Sequence, residues 1–209
     1  MTTGRDRPDH PLERLIFFSD AVFAIAITLL IIDVHAPHLP RGSNDAAYLQ
    51  ALADLLPSLL GFFVSFFVIG AFWAGHHRAF ALAGHHSEKL TGPNLMMLCT
   101  VVFMPFSTAF MSSNYGATIP TVVYCLTLLV TGLCNVRLVR LVTSPPIVAE
   151  HVPAETIALT RMRGFAVILG ALTALLVAFI SPYLSQPALM SIPLWRLLLQ
   201  RQARRSLAA

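Results

Sequence analysis

The chain has 209 residues, of which 56% are hydrophobic and 11% are charged, and its formal net charge at pH 7 is +4. Soluble domains are about 45–50% apolar and about 25% charged, so a soluble globule of this composition would expose large apolar patches and aggregate. The composition therefore excludes a soluble enzyme, a disordered chain and a disulfide-stapled secreted module. It indicates an all-α, polytopic membrane protein.

Apolar stretches of about 20 residues, the length that crosses a bilayer as a helix, predict six transmembrane helices in a single domain over residues 1–209. The predicted spans are 15–34, 49–75, 90–111, 117–136, 164–181 and 183–199. The sixth span is the weakest, because it is short, contains Pro187 and Pro193 and carries Arg196.

The positions of the basic residues favour the sixth span. Cytoplasmic loops are enriched in Lys and Arg, and six spans place every basic residue except Arg41 on one side of the membrane. With five spans, the arginines from Arg196 onwards would lie on the opposite side. The pattern thus predicts that both termini are cytoplasmic. The preference for Arg over Lys is typical of a GC-rich bacterial genome.

The first span carries Ser19 and Asp20 about one turn inside its cytoplasmic end. An ionisable group at that depth is costly, and it is usually functional or bonded to another helix. Arg14 is one candidate partner for Asp20, since it lies six residues away near the same interface. The alternative is that Asp20 lies among the headgroups and is solvated.

The second span ends on the same side of the membrane with Trp73, His76, His77 and Arg78. A buried carboxylate needs hydrogen-bond donors, and indole, imidazole and guanidinium groups supply them. These residues therefore predict a network that fixes the first span against the second. The alternative is an ordinary aromatic and basic membrane interface.

One helical stripe of the first span is apolar. Val22, Ile25, Leu29 and Ile32 follow i, i+3, i+7, i+10 spacing, and Thr28 lies beside them. From periodicity alone, the favoured interpretation is a surface that faces lipid or packs as ordinary core.

The histidine pairs His76–His77 and His85–His86 suggest a metal site, but their spacing matches neither H-x-x-x-H nor H-E-x-x-H. No glycine-rich phosphate loop and no G-x-S-x-G hydrolase motif is present in the sequence. We therefore expect no catalytic residue, no metal, no cofactor and no enzymatic activity. The arginine clusters are interpreted as topology signals that contact lipid, not nucleic acid.

Two stretches resemble the endolysosomal-type potassium channel family, in its bacterial single-repeat branch. The first, Arg14–Val34, opens with R-x-x-x-F-S-D from Arg14 through Phe18 to Asp20 and resembles that family's first helix. The second, Phe72–Arg78, reads F-W-x-x-H-H-R and resembles its second helix. Outside these stretches the resemblance depends on hydropathy and on the six-span plan.

The resemblance implies a potassium-permeable, modestly K⁺-selective cation channel in a bacterial plasma membrane, built as a homotetramer with helix one of each copy lining a central pore. It implies a constriction at Ile25, followed outward by Leu29 and Ile32, with a contribution from Thr28. Within the motif of Arg14, Phe18, Ser19 and Asp20, the serine and aspartate would hold helix one through bonds to Trp73 and His77. The implied partners are further copies of the chain, K⁺ and membrane lipid.

An apolar ring of four isoleucines would act as a hydrophobic gate, with no carbonyl filter of the T-V-G-Y-G type. Asp33 is expected to concentrate cations at the outer mouth. One alternative function is a proton-coupled transporter that uses Asp20 and His77 as a relay. Another is a histidine-rich membrane metalloenzyme, which would hold stoichiometric iron or zinc.

Overall fold

The computed structural model describes residues 10–208, with the side chains of residues 11–202. Arg5, Arg7, Arg204 and Arg205, which contribute to the topology prediction, lie outside the described side chains. The described part of the chain forms eight helices: α1 His10–Leu29, α2 Asp45–Asp54, α3 Leu56–Phe80, α4 Glu88–Ser113, α5 Thr118–Val142, α6 Ala154–Ile180, α7 Pro182–Ala188 and α8 Ser191–Ala208. The prediction of an all-α protein is confirmed.

Helix α1 is displaced towards the N-terminus relative to the predicted span 15–34. It begins at His10 and ends at Leu29, after which the chain continues in turns with bonds from Ile32 N to Leu29 O and from Val34 N to Ile31 O, both 3.1 Å. The prediction that residues 30–34 are helical is therefore wrong. The β-branched side chains at the end of this segment lose rotamer freedom in a helix, which favours the change to turns.

The predicted span 49–75 consists of two helices. The short helix α2 is capped by Asn44, whose side-chain oxygen accepts a hydrogen bond from Ala47 N at 2.9 Å. The chain breaks at Leu55, and α3 starts with Pro57 in its first turn. Proline has no backbone N–H to donate, and the first turn of a helix accommodates it well because the N–H groups there have no partner within the helix.

Four helices, α3 to α6, are long and apolar enough to cross a membrane by length and composition. Helix α1 does not meet the same measure, because Glu13, Arg14 and Asp20 all fall within it. The predicted span 90–111 falls within α4, and the spans 117–136 and 164–181 each fall within α5 and α6 except for one terminal residue. Helix α6 begins ten residues earlier than predicted. The structure supports a multi-pass membrane protein, and the count of six spans stays a prediction.

The predicted sixth span, 183–199, is divided between α7 and α8, with a break at Leu189 and Met190. Helix α8 runs antiparallel to α6: Gly170 faces Ile192, and Arg163 lies near Arg196 in one cavity. The chain therefore returns to the end of the bundle where α3 ends and α6 begins. The distribution of basic residues predicts such a return of the C-terminal segment. The side of the membrane on which this end lies stays a prediction.

Buried hydroxyl groups tie the central helices together. Ser65 Oγ on α3 lies 2.7 Å from Thr108 Oγ1 on α4 and 3.1 Å from the Tyr124 hydroxyl on α5. All three side chains are buried. In an apolar bundle such shared hydrogen bonds fix the rotation of each helix, because any other rotation leaves a polar group without a partner.

A tight turn joins α4 to α5 through Gly116, whose φ is +87°. This left-handed backbone conformation favours glycine. The ring of Tyr183, at the start of α7, packs directly against this glycine, so that a Cβ there would overlap the ring. The turn is therefore a contact point for the C-terminal helices.

Candidate functional site: the first helix and its anchor

One face of α1 is buried against the neighbouring helices α3 and α4. Ser19, Phe23 and Ala26 lie on this face at i, i+4 and i+7 spacing, and each is at most 1% exposed. Phe23 packs edge-on against the ring of His76, with 5.7 Å between ring centroids. This face fixes both the position and the rotation of α1.

The opposite face of α1 has no cover from the described part of the same chain. Ile25 is 57% exposed, and Thr28 and Leu29 are exposed beside it. Ile32 is also exposed, but it lies in the turns beyond the end of the helix. Val22 does not belong to this face: it packs against the core, because it lies next to the buried Phe23 at the border between the two faces.

A buried chain of hydrogen bonds joins α1, α4 and α3. Ser19 Oγ donates to Leu15 O at 2.8 Å and accepts from Asn94 Nδ2 at 2.9 Å. Asn94 Oδ1 lies 2.9 Å from Nε2 of His76, which stacks on Phe80 with 4.3 Å between ring centroids. Asn94 is fully buried, so it is the central member of this anchor (Ser19, Asn94, His76).

A second contact lies nearer the surface. Trp73 Nε1 donates to Asp20 Oδ1 at 2.8 Å, which joins α1 to α3 through a charge-assisted hydrogen bond. His77 lies outside the chain of hydrogen bonds from Ser19 through Asn94 to His76 and stacks on Trp73, with 6.0 Å between ring centroids. The role that the resemblance implies for His77 is filled by His76, because successive helical residues point about 100° apart and only one of them reaches the core.

Sequence reasoning missed Asn94. The available signal was a carboxamide four residues past the predicted start of an apolar span, next to Pro93. A lone amide in such a position indicates an interhelical hydrogen bond, but the sequence does not say which helix it meets. Only the packing of α4 between α1 and α3 identifies its partners.

The two remaining residues of the motif lie outside the anchor. Arg14 is exposed and Phe18 is 50% exposed, and both line an open depression with His86 and Thr91. The structure shows no hydrogen bond or ion pair between Arg14 and Asp20. Trp73 is thus the observed partner of Asp20, in place of the arginine that sequence spacing suggests.

The histidine pairs are separated by the packing of the helices. His76 is buried, whereas His77 is exposed on the neighbouring face of α3. Among the side chains that the structure describes, no three His, Cys, Asp or Glu residues come together in a group able to hold a metal ion.

The long apolar helices, the buried interhelical polar contacts and the unpacked face of α1 define a multi-pass helical membrane protein. Residues 14–105 match the sequence profile of a family described as endosomal/lysosomal potassium channel TMEM175. The resemblance seen in the two motifs is confirmed, and the matched region contains α2 and α3 together with most of α1 and α4. It therefore includes every residue of the anchor.

Two relatives show the extent of the similarity. A potassium channel of Streptomyces collinus is 38% identical over 99 residues, which cover 47% of each chain. A protein of Danio rerio named endosomal/lysosomal proton channel TMEM175 is 39% identical over 110 residues, covering 49% of this chain and 19% of that protein. The aligned region thus spans about half the length of the bacterial relative and a smaller share of the vertebrate one.

The fold similarity extends further than the sequence similarity. The crystal structure of a lysosomal potassium-selective channel TMEM175 homolog from Chamaesiphon minutus is 26% identical to this chain. The two superpose with a TM-score of 0.76, over 91% of this chain and 98% of that one. The C-terminal helices, which the family profile does not reach, are therefore part of the same fold.

Proposed function

We propose that the chain forms a potassium-permeable cation channel in which α1 from four copies surrounds a central pore. The observation that carries this proposal is the division of α1 into a fixed face and a free face. Ile25, Thr28 and Leu29 stand on the free face, away from the buried Phe23 and Ala26. A helix held this firmly on one side is suited to present its other side at a symmetry axis.

The constriction in this proposal is a ring of four Ile25 side chains. Such a ring offers no oxygen atoms to replace the water around an ion, so an ion must shed or squeeze its hydration shell to pass. Na⁺ holds its water more tightly than K⁺ and is penalised more. Because no polar cage compensates for the lost water, the selectivity for K⁺ is modest.

The residues around Ile25 complete the proposed pore lining. Thr28 Oγ1 lies 3.0 Å from Ala24 O and 2.9 Å from Ile25 O, so its proton is used within the helix and its lone pairs remain for cations. Leu29 closes the helical part of the lining, and Ile32 follows in the turns. The anchor and the bond between Trp73 and Asp20 act indirectly, since they hold α1 from behind.

The test is the passive flux of K⁺ and Na⁺ into liposomes that contain the purified chain, with a proton ionophore present. We expect Ile25→Asn to wet the constriction and to raise Na⁺ flux relative to K⁺ flux. Ile119→Asn, the same change at an exposed position on α5, is the matched control and should leave the ratio unchanged. An unchanged ratio in Ile25→Asn contradicts the hydrophobic ring.

The same assay separates the channel from the proton-coupled transporter. A channel gives flux down the K⁺ gradient without saturation, whereas a transporter gives flux only with a proton gradient. The relay of the transporter requires proton transfer between Asp20 and His77. In the structure the bond of Asp20 goes to Trp73, whose indole does not titrate, and that arrangement favours the channel.

The proposed assembly is a homotetramer in a bacterial plasma membrane with both termini cytoplasmic, needing no cofactor besides the permeant K⁺. Its support is that one chain supplies one α1, and one helix cannot enclose a pore. Cross-linking in native membranes that stops at the mass of a dimer would contradict this stoichiometry. The relatives are named as channels rather than enzymes, which agrees with a non-catalytic role.

A further inference from the structure

A cavity of about 110 Å³ lies between α3, α5, α6 and α8, apart from the first helix and its anchor. Three of these helices each contribute one arginine to its lining: Arg78 from α3, Arg163 from α6 and Arg196 from α8. Arg78 and Arg196 are exposed at its mouth, while Arg163 is half-buried. Among the described residues that line this arginine cavity there is no carboxylate.

The three positive charges are not neutralised by their described surroundings. The three guanidinium groups line one cavity, and like charges held together destabilise the charged forms. The Nε atom of Arg163 is buried without a hydrogen-bond partner. The neighbouring Arg161 differs, because it donates to Thr143 and Ser144 at 2.8–2.9 Å.

A fourth polar group points to a ligand in the same cavity. Asn135 on α5 lines it and is only 5% exposed, and its Oδ1 atom has no hydrogen-bond partner. A carboxamide can offer either its oxygen or its NH₂ group by turning about its terminal bond. The Asn135 amide therefore has an unused hydrogen-bond position, and the Arg163 guanidinium has an unused donor at Nε. One polar molecule that contacts both groups would stabilise both.

We propose that the arginine cavity binds a phosphate group. Guanidinium groups bind phosphate oxygens through paired N–H bonds, and three of them are more than enough to neutralise the one or two negative charges of a phosphate diester or monoester. Asn135, turned about its terminal bond, would donate its NH₂ group to a phosphate oxygen. A water molecule in the liquid occupies roughly 30 Å³. The cavity of about 110 Å³ therefore has room for several waters, and one phosphate group can take their place.

Two sources share this chemistry: free phosphate and the headgroup of an anionic phospholipid. Basic pockets between membrane helices commonly receive lipid headgroups, and the exposed arginines leave the mouth of the cavity open. In either case the bound phosphate joins α8 to α3 and α6. It therefore stabilises the return of the C-terminal helices along α6.

The test measures the unfolding midpoint of the full chain in a neutral detergent by intrinsic fluorescence. One arm titrates inorganic phosphate against sodium chloride of equal ionic strength. The other adds phosphatidic acid against phosphatidylcholine. We expect at least one of the two phosphate ligands to raise the midpoint of the wild-type chain. Arg163→Gln should then raise the half-saturating concentration about tenfold or more, the size expected for losing a charged hydrogen bond.

Arg137→Gln is the matched control, because it removes one exposed charge from α5 outside the cavity, and it should change the half-saturating concentration less than twofold. If Arg163→Gln does not fold, Arg196→Gln replaces it, and the same rise in the half-saturating concentration is expected. A response to phosphate alone identifies free phosphate as the ligand, and a response to phosphatidic acid alone identifies the headgroup. Absence of both responses, or equal weakening in the control, overturns the proposal. The readout needs no ion flux, so it is independent of the proposed channel.

Discussion

Replacing Asn94 by alanine is the most direct test of the anchor behind α1. The change removes the bond to Ser19 Oγ and the bond to His76 Nε2, each 2.9 Å long. It also strands the imidazole, because His76 Nδ1 already has no partner. Interhelical hydrogen bonds in membranes contribute about 0.6 kcal/mol each on average, and a stranded buried polar group costs about 1–3 kcal/mol. We expect a loss of about 2–4 kcal/mol of unfolding free energy.

The assay is thermal unfolding in detergent, followed by intrinsic fluorescence. A chain of this length loses roughly 2–4 °C per kcal/mol, so the midpoint should fall by about 4–16 °C. Asn114→Ala is the matched control, since Asn114 is exposed and its side chain donates locally, to Phe110 O in the same helix. A midpoint for Asn94→Ala within about 2 °C of this control would refute the reasoning.

A double substitution isolates the contribution of the histidine. His76 contacts the rings of Phe23 and Phe80, so His76→Phe keeps an aromatic ring at this position and removes both ring nitrogens. In that background Asn94→Ala no longer strands an imidazole, and we expect its cost to shrink by about 1–2 kcal/mol. Equal costs in the two backgrounds would show that Asn94 acts independently of His76.

Two further substitutions test contacts outside the anchor. Gly116→Ala should lower the unfolding midpoint more than Gly42→Ala, because both glycines have a positive φ but only the first is packed against an aromatic ring. Equal shifts would mean that backbone strain alone matters. Trp73→Phe should cost more stability than Trp195→Phe, since Trp73 donates to the carboxylate of Asp20 at 2.8 Å whereas the bond of Trp195 to a neutral hydroxyl is 3.2 Å long. The reverse order in thermal unfolding would contradict this ranking.

Hydropathy did not predict the helix breaks within the second and sixth spans. Both predicted spans run through a leucine, Leu55 or Leu189, at which the helix is broken, and an apolar residue gives no sign of a break. Each break lies two residues from a proline, which cannot donate to the preceding turn. Pro57 starts a new helix, and Pro187 lies in the short helix that precedes the second break.

The composition, the apolar stretches, the R-x-x-x-F-S-D motif and the distribution of arginines are local properties, so the sequence by itself determined the helical membrane class, the family resemblance and the stripe around Ile25. The contact partners are not local. Asn94 meets Ser19 across 75 positions, and Arg78 shares a cavity with Arg196. Side chains so far apart become neighbours only when each helix takes the rotation that satisfies its buried polar groups, and that choice is made by the packing of all the helices together.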